Sequence, residues 1–172
     1  MPAQDDTTNP APDEPGPFDA IGPSAVTITG GDGDDVWLVN DGYEDTHFIG
    51  GETGEVDGDL IYAGAMTESV TLRYSGNEQG TIDGTGATIS FEEVERVHLG
   101  TGNDYVSVEA GTNGQVNGGE GYDTLDLSFL PEDEPEPQIT ITNTVVNDDG
   151  TESYDGYVEF ADGSRLDFKS FE

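Results

Sequence analysis

Apolar and polar residues alternate in short stretches along most of the chain, which is the pattern of strands with one buried face. From Ser69 to Tyr74, for example, Val70, Leu72 and Tyr74 share one face, and polar side chains lie between them. Similar stretches contain Val26 and Ile28, Thr81 and Ile82, Ile89 and Phe91, Val97 and Leu99, Ile139 and Ile141, Val158 and Phe160, and Leu166 and Phe168. The pattern predicts an all-β chain.

A nine-residue pattern, G-G-x-G-x-D-x-U-x with U a large apolar residue, recurs between these stretches. It is intact at Gly30–Leu38 and Gly118–Asp126, and the copy at Leu99–Ser107 lacks only its first glycine. A fourth copy, Gly50–Tyr62, is stretched by four residues. The alternate positions after each aspartate are predicted to face inward, and they are Trp37 and Val39, Ile61 and Ala63, Val106 and Val108, and Leu125 and Leu127.

This spacing of glycine and aspartate suits calcium. Glycine adopts positive φ at little steric cost, so alternate glycines let the chain curl and turn several carbonyl oxygens inward. Calcium takes roughly six to eight oxygen ligands, so two stacked loops must share an ion, and each aspartate adds a carboxylate. The alternative is a set of Gly-Asp turns that join ordinary hairpins. The predicted metal-site residues are Gly31, Asp32, Gly33, Asp35, Gly51, Asp57, Asp59, Gly100, Gly102, Asp104, Gly119, Gly121 and Asp123.

Two details sharpen this prediction. Asp104 and Asp123 are 19 residues apart, about the length of two nonapeptides, so we expect them to stack one coil apart. The stretched copy contains an acidic insertion, Glu52–Asp57, in which Glu55 or Asp57 would add ligands. The alternative for the insertion is a solvated bulge.

The four motifs resemble the RTX, or haemolysin-type, calcium-binding repeats of secreted bacterial proteins. The resemblance covers roughly Thr27 to Glu172 and implies a calcium-binding parallel β-roll or β-solenoid that folds outside the cell or at its surface. It also implies type I secretion as part of a larger protein, with calcium as the cofactor and neighbouring domains of a longer chain as partners.

A longer internal repeat surrounds the motifs. Gly80–Glu95 and Gly156–Glu172 both run as glycine, strand, Asp-Gly turn, strand, phenylalanine and a terminal glutamate, and each follows a Gly-Gly-Glu motif. This unit resembles modules upstream of Hedgehog/intein-type domains in alphaproteobacterial secreted proteins. Such domains begin with a catalytic cysteine, and this chain has no cysteine, so no self-cleaving activity is implied.

The expected organisation has four parts. Residues 1–24 form an acidic, proline-rich linker; residues 25–130 form the roll, with inserted hairpins; residues 131–138 form an acidic proline-rich loop; and residues 139–172 form a C-terminal β-hairpin segment that caps the open end of the roll. Ser90 followed by Glu93 matches a capping box, which predicts one helical turn through Val94.

Charge narrows the possible partners. The formal net charge is −34, from 38 acidic and 4 basic residues, which argues against nucleic acid and anionic membranes. No apolar run is long enough to span a membrane. Such a chain repels itself, and bound cations would reduce the repulsion.

Three functions compete on these observations. The first is a structural module whose folding depends on calcium. The second is an enzyme, which we do not expect, because His47 and His98 stand apart from any motif for nucleophilic attack. The third is an adhesive, glycan- or protein-binding appendage, including one attached to a virion. It would use exposed aromatic residues such as Tyr105 on the calcium-stabilised roll.

Overall fold

The computed structural model describes residues 26–172 except 85, 129, 131–134 and 149. The described part contains fourteen strands and no helix, which confirms the all-β prediction, and it therefore contains no helix able to cross a membrane. The predicted linker 1–24 and residues 131–134 of the predicted loop lie outside the described residues. The strands are β1 Val26–Thr29, β2 Val36–Leu38, β3 Thr46–Ile49, β4 Leu60–Tyr62, β5 Thr71–Gly76, β6 Gln79–Asp83, β7 Thr88–Glu92, β8 Arg96–His98, β9 Tyr105–Val108, β10 Gly114–Asn117, β11 Thr124–Asp126, β12 Gln138–Val146, β13 Glu152–Glu159 and β14 Arg165–Phe171.

These strands form two mixed sheets of seven strands each. The first has the order β1-β3-β7-β6-β5-β9-β11, and the second has the order β12-β13-β14-β10-β8-β4-β2. Successive strands β1 to β4 alternate between the sheets, so their neighbours pair in parallel. Antiparallel pairing is confined to two three-stranded meanders, β5–β7 and β12–β14, which interrupt the parallel rows.

One apolar cluster joins the two sheets. Trp37 of β2 stacks on Phe48 of β3 with ring centroids 5.3 Å apart. The predicted inward positions are confirmed: Val39, Ile61, Ala63, Val106 and Val108 are buried, and Trp37, Leu125 and Leu127 are half-buried against the same cluster. Half-burial occurs at the first and last rows because a parallel row needs a neighbour on each side to be covered.

The two meanders repeat the same pairing. In the first meander, β5–β7, Leu72 pairs with Ile82 and Tyr74 with Gly80. In the second meander, β12–β14, the equivalent pairs are Ile139 with Val158 and Ile141 with Gly156. A Cβ on Gly80 or on Gly156 would lie 2.8 Å from the ring of the paired Phe91 or Phe168 and would also collide with the neighbouring strand. The glycine and the phenylalanine of each unit therefore require one another, which accounts for the repeat in the sequence.

The predicted helical turn at Ser90 is wrong. Ser90 does not start a helical turn, because it belongs to β7 and pairs with Thr81 and His47 on neighbouring strands. Glu93 follows with a φ of 57°, which no right-handed helix allows. The cross-strand pairing on both sides of β7 outweighs the weak local preference for a capped turn.

The C-terminal segment, which is predicted as a cap, continues the second sheet. β14 pairs in parallel with β10, so β12–β14 extend the second sheet instead of covering its end. β12 lies at the edge of that sheet, with Ile139 and Ile141 58% and 47% exposed. The segment therefore presents a new apolar edge.

Candidate metal centre

The first group of carboxylates is a ladder formed by Asp35, Asp59 and Glu95. The backbone N–H of Asp35 donates to Oδ1 of Asp59 over 2.7 Å, and the N–H of Asp59 donates to Oε2 of Glu95 over 2.5 Å. Parallel register aligns the three residues, because Val36 pairs with Leu60 and Leu60 with Arg96 directly after them. We call this set the first ladder.

A second ladder repeats the arrangement with Asp104, Asp123 and Glu172. The N–H of Asp104 donates to Oδ1 of Asp123 over 2.8 Å, and the N–H of Asp123 donates to Oε2 of Glu172 over 2.7 Å. Asp104 in turn accepts a bond of 2.8 Å from the N–H of Val70. The predicted stacking of Asp104 on Asp123 is confirmed.

In each of these aspartates the other oxygen is buried and has no hydrogen-bond partner within the described part of the chain. This holds for Oδ2 of Asp35, Asp59, Asp104 and Asp123. Asp59, Asp104 and Asp123 are at most 2% exposed. An ionised carboxylate is costly to bury unless a positive charge or a donor compensates for it, and no cationic side chain pairs with these oxygens among the described residues. The sites therefore require protons or cations.

The acidity of the aspartates reflects this burial. Desolvation raises the pKa of Asp59 and of Asp104, and it raises the pKa of Asp123 to about 6. The charge of Asp104 and that of Glu172 add to the effect at Asp123. Asp34 behaves in the opposite way: its pKa is lowered, chiefly by the N–H of Val56, because its carboxylate is exposed and fully bonded.

The first glycine of each intact motif makes room for the unpaired oxygen. A Cβ on Gly30 would lie 2.6 Å from Oδ2 of Asp35, and a Cβ on Gly118 would collide with Oδ2 of Asp123. The glycines Gly31, Gly33, Gly51, Gly119 and Gly121 have positive φ, as predicted for the curled loops. Gly100 and Gly102 do not; a Cβ on either would instead collide with, or closely approach, the backbone of Met66 or Glu68.

The loops also contact one another through their backbones. Gly31 donates its N–H to the carbonyl of Gly50 over 3.0 Å, and Glu120 donates to the carbonyl of Gly100 over 2.9 Å. A Cβ on Gly121 would collide with the carbonyl of Gly102. The loops are therefore stacked closely enough for carboxylates and carbonyls of adjacent loops to approach the same space.

The acidic insertion folds around Asp34, which is not among the predicted metal-site residues. The carboxylate of Asp34 accepts the N–H groups of Val56, Asp57 and Gly58 over 2.8, 3.1 and 3.0 Å. The side chain of Asp57, a predicted ligand, is exposed and stands outside both ladders; Asp32 is exposed as well. Glu55 differs, since its Oε1 is buried without a partner and its pKa is raised by burial and then by Glu95.

A second acidic group adjoins the first ladder. Carboxylate oxygens of Glu52, Glu78 and Glu95 lie within 4.8 Å of one another, a spacing that could hold a metal ion. The pKa of Glu78 is raised by burial and by the charges of Glu95 and Glu52. Hard oxygen ligands of this kind suit calcium or magnesium. Only the internal repeat, which ends in Glu95 and again in Glu172, could have pointed to these terminal glutamates.

Both histidines are half-buried in strands. Nδ1 of His47 lies 2.8 Å from Oγ of Ser90, and Nε2 lies 3.9 Å from Oε1 of Glu92, all on adjacent strands. His98 packs edge-on against Tyr62. The His47–Ser90 pair is in direct register between β3 and β7, which accounts for the contact as an ordinary cross-strand pair.

Two clefts bear on the competing functions. One of about 590 Å³ is lined by two of the three arginines, Arg96 and Arg165, together with acidic residues. Another of about 280 Å³ lies between Tyr122 and Tyr154. Tyr105, predicted to face outward, is half-buried and donates its hydroxyl to the carboxylate of Asp126.

Comparison of the chain with protein-family models, with curated proteins and with solved structures found no match in any of the three.

Proposed function

We propose that this chain is an extracellular calcium-binding structural module, in which the stacked Gly-Asp loops hold Ca²⁺ and the two sheets form a β-roll. The observation that carries the proposal is the set of unpaired, buried Oδ2 atoms on Asp35, Asp59, Asp104 and Asp123. In each of these aspartates, the other carboxylate oxygen or the backbone N–H is hydrogen-bonded to a neighbouring segment. The carboxylates are therefore held in place before a cation binds.

The ligand chemistry favours calcium over other cations. All the candidate ligands are oxygens, and the chain has no cysteine for a thiolate site. Calcium accepts a large and irregular oxygen shell, whereas magnesium demands a smaller octahedral one. We propose that Asp35 and Asp59 serve one site and Asp104 and Asp123 another. The glutamates that end each ladder contribute beside them, Glu95 together with Glu52 and Glu78.

Calcium would act on folding because the ligands come together only in the folded chain. A ligand that binds only the native state stabilises it by about 2.7 kcal/mol per site at a hundredfold excess over its dissociation constant. Bound ions would also offset part of the net charge of −34. The module would then fold where calcium is abundant, outside the cell, as part of a larger secreted or surface protein.

Circular dichroism of the full chain with calcium and with a chelator tests the proposal. We expect a stronger strand signal in calcium than in chelator, and a cooperative thermal transition whose midpoint is much lower in chelator. Magnesium at the same concentration serves as the control and should not restore the midpoint reached in calcium. Equal strand content in calcium and in chelator would refute the proposal.

A second candidate is the glycan- or protein-binding appendage, and the cleft between Tyr122 and Tyr154 favours it. Tyr122 is 55% exposed, and a tyrosine ring can stack on the apolar face of a sugar. Binding to immobilised glycans, compared between the parent chain and Tyr122→Ala, tests this candidate. If the parent chain does not bind, or if Tyr122→Ala binds as well as the parent, the cleft is excluded as the glycan-binding site.

A further inference from the structure

The two meanders differ in what covers their first strand. In the first meander, Leu72 and Tyr74 of β5 are 0% and 1% exposed. Their equivalents in the second meander, Ile139 and Ile141 of β12, are 58% and 47% exposed. The pairing to the next strand of each meander is the same, so the difference in exposure comes from the other side of the strand.

A strand–loop–strand element covers the first meander. β8 pairs in parallel with β4, and β9 pairs in parallel with β5, so that Leu72 lies beside Val106 and Tyr74 beside Val108. The loop between β8 and β9 is the motif that contains Asp104. In the second meander the strands equivalent to β4 and β5 are β11 and β12, and in the described part of the chain each has a strand on one side only.

The chain carries a second element of the same kind at its other end. β1, the intact motif Gly30–Leu38 and β2 repeat the order of β8, its loop and β9. β1 pairs with β3 as β8 pairs with β10, and β2 pairs with β4 as β9 pairs with β11. Within the described residues, β1 and β2 are also edge strands, and Ile28 and Trp37 on them are only half-buried.

We propose that the chain associates head to tail with a second copy of itself, whose β1–loop–β2 element pairs with β11 and β12. The repeat sets the register: Ile28 of the second copy lies beside Leu125, and its Trp37 and Val39 lie beside Ile139 and Ile141. The half-buried rows at the two ends are then covered together, as Val106 and Val108 cover Leu72 and Tyr74 within one chain.

Two features limit the strength of this contact. Pro137 occupies the place of Val70, whose N–H donates to Asp104, and proline has no N–H to give to Asp35 of the second copy. Glu172 also holds the position at which Val26 of the second copy would begin, so β1 pairs from Thr27 onward. The association is therefore weaker than the contact within one chain, and it is reversible. Because the two surfaces differ, the contact is heterologous, and every assembly keeps one free surface at each of its two ends.

Sedimentation velocity of the full chain in calcium, over a range of concentrations, tests the proposal. The weight-average mass should rise beyond that of a dimer from a monomer of 18.2 kDa. The double variant Ile139→Lys/Ile141→Lys alters only exposed side chains and should remain monomeric. The matched control is Val145→Lys/Val146→Lys, on the same strand and similarly exposed but beyond the predicted register; it should associate like the parent chain.

A mixing experiment tests the direction of the contact. Thr29→Pro removes an N–H at the open edge of β1, since the described bonds of β1 to β3 and its loop use the N–H groups of Val26 and Gly30. Alone, this variant should be monomeric; mixed with Ile139→Lys/Ile141→Lys, it should form a dimer and nothing larger, because each partner keeps one intact surface.

Four results would overturn the proposal: a parent chain that stays monomeric, one that stops at a dimer, a mixture that stays monomeric, or an effect of the Val145/Val146 variant equal to that of the Ile139/Ile141 variant. Calcium titration of every variant separates this inference from the proposed function. A variant that binds the parental number of ions but does not associate shows that the substitution affects only the contact between copies. A parent chain that binds no calcium would contradict only the proposed function.

Discussion

The two meanders share a sequence pattern and a pairing scheme, yet their first strands have opposite environments. β5 lies between β6 and β9 and is buried, whereas β12 lies beside β13 alone and is exposed. In both meanders, the alternation of apolar and polar residues determines which side chains of the strand share a face. Whether that face is covered depends on a strand that is remote in sequence. An apolar alternating stretch is therefore evidence of a strand but not of burial.

The two ladders give a similar comparison. Glu95 and Glu172 both accept the N–H of the last aspartate in their ladder, at 2.5 and 2.7 Å. Glu95 also approaches Glu52 and Glu78, because the first meander and the stretched motif bring those residues to it. Glu95 and Glu172 therefore accept equivalent backbone hydrogen bonds, but more carboxylates surround Glu95.

The largest effect should come from one substitution made in both meanders. Leu72→Asp places a charge where no surface is exposed and should reduce the free energy of unfolding by about 4 kcal/mol or more. Ile139→Asp, at the equivalent exposed position, should change it by less than about 0.5 kcal/mol. Urea denaturation in calcium, at a protein concentration low enough to keep the chain monomeric, measures both. Similar losses would show that β12 is covered.

The next effect concerns the second ladder. Asp123→Asn keeps an oxygen for the N–H of Asp104 but removes the charge, so the calcium affinity of the site that Asp123 shares with Asp104 should fall by about a hundredfold. Without calcium the same variant should lose no stability, because it buries one charge fewer. Calorimetric titration and melting in chelator measure the two effects.

The control for Asp123→Asn is Asp162→Asn, whose carboxylate is exposed and bonded to Ser164 within its own turn. It should bind calcium like the parent chain. If Asp123→Asn also leaves the affinity and the ion count unchanged, then Asp123 is only a turn residue.

A smaller effect should distinguish the ends of the two ladders. Glu95→Gln should weaken calcium binding by about tenfold, because it removes charge from the ladder and from the Glu52–Glu78–Glu95 group. Glu172→Gln removes a ladder charge alone and should weaken binding less. Both glutamines keep an oxygen that accepts the aspartate N–H. Calorimetric titration of the two variants therefore compares the loss of one negative charge at each position. A larger effect at Glu172 would contradict the assignment of the glutamate group to a cation.

The smallest effect is the pH dependence of the calcium-free fold. The pKa of Asp123 is raised to about 6 in the folded chain from 3.8, so between these values the folded state binds more protons than the unfolded state. Stability in chelator should therefore rise as pH falls from 7 to 5, by about 1 kcal/mol from this group. Raised pKa values at Asp59 and Asp104 act in the same direction.

Thermal unfolding in chelator at pH 7 and pH 5 measures this dependence, and Asp123→Asn should reduce it. In calcium the dependence should reverse, since protons compete with the ion for the same carboxylates. Stability that falls on acidification in chelator would contradict the burial of Asp123 as a charged group.

Parts of the candidate site were predictable because they depend on spacing along the chain. Asp104 and Asp123 stack because their separation matches two motif lengths, and the glycines around them follow the same period. Glu95 and Glu172 were missed because each reaches its aspartate from the end of a meander, 36 and 49 residues away in sequence. Asp57 was chosen for its charge, yet the insertion turns its backbone N–H toward Asp34 and leaves its side chain exposed.

By itself the sequence determined that most of the chain forms short strands, on which faces Ile61 and Val106 are buried, that glycine is needed at positions 80 and 156, and that a Gly-Asp loop recurs. These features follow from local periodicity and from the conformational freedom of glycine. The tertiary structure alone decided that β14 joins β10 and leaves β12 at an edge, that Ser90 lies in a strand, and that glutamates from distant segments complete the ladders. The physical reason is that pairing between remote strands contributes more free energy than a local turn preference, and no local pattern encodes which partner is present.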